Sequence, residues 1–120
     1  MATTRYFVHD VGTAIGFYER LGFEVVQRFG DTIAIMRRQD LDLWLAGRAS
    51  SAARPMPDGR RPEPGGWNRF ELVVDDIEAE VERLRAAGVP FRNEIVRGPG
   101  GAQILAEDPS GNMVELFQPR

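Results

Sequence analysis

In the run Glu107 to Pro119, the strand-like part from Met113 sets a single carboxylate, Glu115, among apolar residues near the C-terminus. An acid in such surroundings is either paired with a cation or pushed toward its protonated form. A carboxyl group held that way can move protons at a carbon beside a carbonyl. Asp42, inside Leu41 to Ala46, repeats the arrangement, so Glu115 and Asp42 are the candidate catalytic bases. Few other reactive groups exist: the chain has no Cys and no Lys, all 15 of its basic residues are Arg, and its one His is His9. A thiolate nucleophile, a Schiff-base lysine, a cysteine zinc site and a disulfide framework are thereby excluded. Histidine is the only side-chain type whose unperturbed ionisation lies near neutrality, which singles out His9. It stands at a strand end beside Asp10 with no evident partner, so the expectation is a solvated or capping neighbour and not a general base.

The elements that must position these residues come in two matching sets. Asp10 opens a helix with Val11, Ile15, Tyr18 and Leu21 at helical spacing, and Asp76 opens a second with Ile77, Val81 and Leu84. A glycine, Gly22 or Gly88, follows each Asp by 12 residues, as helix C-terminal chemistry requires. Extended segments precede the helices at residues 4–9 and 68–75. Three strand-like runs follow each: 23–29, 32–38 and 41–46, then 90–96, 102–107 and 113–118. The chain therefore reads as α+β, two tandem βαβββ modules at 1–47 and 67–120, joined by a Pro-, Gly- and Arg-rich linker at 48–66. That linker is expected to be an exposed connection, with a flap over a ligand cleft as the alternative. Gly98 to Gly101 reads as a hairpin loop, since it lacks the strand-then-helix setting of a phosphate-binding loop.

The closing turn and strand, Asp108-Pro109-Ser110-Gly111-Asn112 into Met113 to Phe117, together with the doubled βαβββ pattern, resemble the vicinal oxygen chelate superfamily. That group includes glyoxalase I, extradiol dioxygenases, fosfomycin-resistance enzymes and bleomycin-resistance proteins. The resemblance implies two modules forming a cup-shaped sheet over nearly the whole chain. In the metal-dependent members, four ligands point into the cup, one from the first and one from the last strand of each module. Those positions fall on Thr3, Asp42, Arg69 and Glu115 here. Two of the four cannot act as the usual imidazole or amide donors, and Arg69 brings a fixed positive charge that favours an ion pair with Glu115. The expectation is a lost metal site and no cofactor, with a divalent metal as the alternative.

Strand parity then says what the cup contains. Phe70, Leu72 and Val74 form one apolar face and Leu41, Leu43 and Leu45 another, both directed to the core; Asp42, Trp44, Arg69, Glu71 and Val73 take the opposite side. Arg5 and Phe7 join that side from the first strand and Met113, Glu115 and Phe117 from the last. A wall of Phe, Trp, Met and Val with a few charges suits a flat organic ligand, and equally a subunit interface. The candidate ligand contacts are Phe7, Trp44, Trp67, Arg69, Met113, Glu115 and Phe117, with Trp67 placed to stack against Trp44.

Net charge of −3 over mixed signs, with no basic block, argues against nucleic acid. No apolar run approaches a membrane span and no leader-like segment stands at the N-terminus, so the expectation is a cytoplasmic protein without a membrane partner. Two functions fit. One is a metal-independent protein that sequesters an aromatic antibiotic or natural product as a homodimer. The other is an enzyme, either a metal-dependent lyase or dioxygenase, or a metal-free isomerase or cyclase using Glu115 or Asp42.

Overall fold

The computed structural model describes all 120 residues as two helices and two four-stranded sheets. The first module runs β1 (Thr4–Phe7), α1 (Val11–Arg20), β2 (Glu24–Phe29), β3 (Ile33–Arg38) and β4 (Leu41–Ala46). The second repeats it as β5 (Glu71–Val73), α2 (Ile77–Ala86), β6 (Val96–Gly98), β7 (Gly101–Glu107) and β8 (Met113–Pro119). Sheet order is β1-β4-β3-β2 in one and β5-β8-β7-β6 in the other, so the first and last strands of each module lie side by side and parallel. That pairing brings the two ends of each module together on one sheet.

Local chemistry explains both helices. Asp10 Oδ1 accepts from the Thr13 amide at 2.8 Å and Asp76 Oδ1 from the Ala79 amide at 3.1 Å, satisfying amides that the first turn leaves free. Gly22 and Gly88 take φ of 92° and 84°, a conformation that costs a side-chain-bearing residue. Each helix lays its apolar stripe on its own sheet: Val11, Ile15 and Tyr18 over Leu43, Leu45 and Met36, and Ile77, Val81 and Leu84 over Leu72, Ile104 and Leu116. All of these belong to one continuous core, and burying each large side chain contributes about 1.5–3 kcal/mol.

The modules meet through that core and through one turn. The Tyr6 ring packs on Phe70 with centroids 5.1 Å apart, and Phe23 reaches Phe70 edge-on at 6.1 Å. The turn 108–112 acts as a clamp. Buried Asp108 accepts from the amides of Ser110 and Asn112, from the Asn112 side chain, and from the Tyr18 hydroxyl of the first module at 2.8 Å. The Asn112 amide group also donates to the Phe7 carbonyl.

Two strand expectations differ from the structure. The stretch 90–96 is not a strand: only Phe91 bridges to Ala106, and β6 begins at Val96. Pro90 has no amide to donate, and regular pairing resumes where Gly98 faces Gly101 across the Pro99-Gly100 turn. The segment 68–75 is regular only at 71–73. Its ladder nevertheless extends on both sides, with Glu115 N donating to Phe70 O and Val74 N to Phe117 O.

Candidate functional site

Each sheet turns one face to the helices and leaves the other free of them, and the free faces carry the sequence candidates. On the first, the register sets Arg5 beside Trp44, Phe7 beside Ala46 and Arg37 beside Asp42. Arg37 holds Asp42 as a fork, Nε to Oδ1 at 2.6 Å and Nη2 to Oδ2 at 3.0 Å. That hydrogen bonding keeps the Asp42 carboxyl below the usual carboxylate range, so it is a poor base near neutrality. Above Trp44 lies the Arg5 guanidinium, 5.6 Å from the ring centroid. The Trp44 indole N–H is buried and has no acceptor. Thr3 is exposed ahead of β1.

On the second sheet Glu71 lies opposite Glu115 and Val73 opposite Phe117. Glu115 is only 3% exposed, and Met113 beside it in the same strand is equally enclosed. Arg69 grips one Glu115 oxygen, with Nε 3.0 Å and Nη2 2.9 Å from Oε1. The other oxygen, Oε2, is buried without a hydrogen-bond partner. Glu71, which parity placed on this face without assigning it a role, is the missing neighbour. Its interaction with the Glu115 carboxylate raises the Glu71 pKa above its ordinary value.

The four positions at which metal-dependent relatives carry ligands therefore hold a hydroxyl, a guanidinium and two carboxylates, each carboxylate tied to its own arginine. No group of three or more His, Cys, Asp or Glu side chains is placed to hold a metal ion. This donor set does not fit zinc, nickel or iron, which take nitrogen and unencumbered carboxylates.

Trp67 stands apart from Trp44. Its ring is 62% exposed and covers the Arg92 guanidinium at 4.6 Å, while its carbonyl accepts from Arg69. His9 has a partner that its sequence setting did not reveal: Arg48 Nη2 lies 3.2 Å from His9 Nδ1. The linker is also more than a connection. Its residues 61–64 fold back to line, with Phe7, His9 and Arg48, a cleft of about 260 Å³ at the end of β1 and β4. Neither feature has a local signal, because residues 39 to 57 positions apart come together only once the linker folds.

Residues 1–116 match the Glyoxalase/Bleomycin resistance protein/Dioxygenase superfamily. The chain belongs to that superfamily. A relative, the glyoxalase domain-containing protein RDO1 of Mycosarcoma maydis, is 28% identical over 114 residues; the match takes in 90% of this chain but only 61% of RDO1. Among solved superfamily structures, the lactoylglutathione lyase of Agrobacterium tumefaciens superposes with a TM-score of 0.76 at 22% identity, covering 98% of this chain and 92% of its own. TnmS3, an antibiotic binding protein from Streptomyces sp. CB03234, gives 0.71 at 26% identity, covering all of this chain and 97% of its own. The two-module α+β architecture is thus that of the superfamily.

Proposed function

We propose that the chain is a metal-independent small-molecule-binding protein that sequesters an aromatic antibiotic or natural product between two copies of itself. The observation that carries this reading is the Arg69–Glu115 ion pair. An arginine bonded to the carboxylate sets a fixed positive charge where a dication would sit, so the face is better suited to an organic ligand. Phe7, Trp44 and Phe117 supply the apolar surface, with enclosed Met113 behind it and Trp67 at its margin. The antibiotic-binding role of TnmS3 favours the same class of ligand. Trp44 Nε1 and Glu115 Oε2, both orphaned, would find partners in a ligand or in the facing copy.

The Glu71–Glu115 pair favours a second reading, a metal-free isomerase or cyclase in which Glu71 holds the proton to be moved. The two readings part on one experiment. Protein purified without chelator is assayed for bound metal as wild type and as Glu115→Gln. Binding without metal requires background metal in both and retained ligand affinity in the variant. A proton-transfer enzyme would instead lose turnover in Glu115→Gln while still binding substrate. Stoichiometric metal in the wild type that disappears in the variant would overturn both.

A further inference from the structure

The cleft under the linker carries an unbalanced charge. Arg48 and Arg61 both border it, and neither makes an ion pair with any carboxylate of the chain. Glu63 is the single acid on its rim and is equally unpaired. Arginine has only donors to offer, so the 3.2 Å contact from Arg48 makes His9 Nδ1 the acceptor and leaves the proton on Nε2. A neutral His9, two guanidiniums and one carboxylate leave one positive charge and a surplus of donors. Asp10, next in sequence, is already committed to capping α1. Between the charged groups the wall is apolar, from Phe7 and Ala46 on the strands to Ala53, Pro62 and Pro64 on the linker.

The floor is fixed in place. Gly47 leaves β4 so close to the neighbouring loop that a Cβ there would lie 2.5 Å from the Asp31 carbonyl oxygen. The His9 amide is held by Ser110 Oγ at 2.9 Å, which ties the cleft to the inter-module clamp. A fixed floor bordered by guanidiniums without carboxylate partners suits a ligand with a charged end and a rigid apolar body.

We propose that this cleft is a binding site for an aromatic carboxylate, its acid group taken by Arg48 and Arg61 with His9 Nε2–H as a further donor, and its ring laid along Phe7 and the linker prolines. The single net positive charge matches a monoanion better than a phosphate dianion, and a guanidinium fork matches the planar geometry of a carboxylate. This deepens the small-molecule reading by assigning a ligand class, but it uses a cleft whose walls do not include Trp44.

The test is calorimetric titration of the full chain with 2-naphthoate, its methyl ester and 2-naphthyl phosphate. The expected result is saturable naphthoate binding, at least tenfold weaker for the ester and for Arg48→Gln and Arg61→Gln, and unchanged by Arg85→Gln on the far side of the second module. Circular dichroism and thermal melts on the same preparations identify a variant that has merely unfolded, and Arg48→Lys then serves as the milder substitution. No saturable naphthoate binding, ester affinity equal to that of the acid, tighter binding of the phosphate, or indifference to both arginine variants would overturn the proposal. Naphthoate binding that depends on Arg48 and Arg61, with no natural-product ligand found for the Trp44 face, would retain this site and discard the reading above.

Discussion

At the scale of single residues, Arg69 and Tyr6 stand at opposite ends of what the sequence discloses. Arg69 was legible: a guanidinium two residues before Glu71 on the strand paired with Glu115 has the parity and the charge to meet that acid, and it does so at 2.9–3.0 Å. Glu71 belonged to the same face, yet its closeness to Glu115 depends on parallel register, which two separate strand sequences do not encode. Tyr6 was not singled out at all. Its hydroxyl donates to the Met113 carbonyl at 2.7 Å and accepts from the Phe70 amide, joining the modules, and burial pushes its pKa up to about 12. Tyr18, the other tyrosine, is raised as well, through burial and its contact with Asp108. In the unfolded chain a tyrosine ionises near pH 10. A group raised in the folded state contributes stability that is complete below the unfolded value and lost as pH climbs through the folded one, so the alkaline weak point lies between about pH 10 and 12. Tyrosinate absorbance of the native protein should accordingly stay low at pH 10 and rise together with loss of the folded circular-dichroism signal. Half-ionisation of either tyrosine at pH 10 in the intact fold would contradict the buried hydrogen bonds.

At the scale of elements, the helices and most strands follow from local rules, because capping, helical spacing and strand alternation each act over a few residues. The pair Asp10 and Asp76 makes this measurable. Replacing either by Ala removes the acceptor for Thr13 N or Ala79 N and should cost about 1 kcal/mol in chemical denaturation. Equal loss at the two positions is the expected outcome, given their matching geometry; no loss at either would mean that the caps are solvated and idle. Less regular elements escaped local reading for a common reason. Segment 90–96 has strand-like residues, but its pairing is confined to a single bridge at Phe91, made by Arg92 N to Leu105 O and Glu107 N to Pro90 O. The linker lacks any period, so its return to the end of β1 and β4 could be weighed as a flap but not located.

For the whole molecule, the repeat was visible because both modules use the same caps, the same glycine stops and the same strand count, and the two-sheet superfamily architecture follows. How the open faces are completed is a matter of association. Phe29, Val73 and Val96 stand about half exposed on β2, β5 and β6, and Trp67 is 62% exposed. Apolar surface gathered on sheet faces in this way marks a contact region. We expect a homodimer, so sedimentation at micromolar concentration should give twice 13.4 kDa, and Val73→Glu should shift the mass toward the monomer. A monomer throughout would oppose a ligand site shared between copies. The central claim, that this chain holds an aromatic molecule without metal, is tested most directly by titrating chelator-treated protein with a panel of aromatic natural products that includes bleomycin and anthraquinones, followed by tryptophan fluorescence. Saturable quenching by at least one compound, unchanged on adding zinc, nickel or iron(II) and weakened about tenfold or more by Trp44→Ala, is the predicted result. Binding that appears only once a metal is restored, or that ignores Trp44, would contradict it.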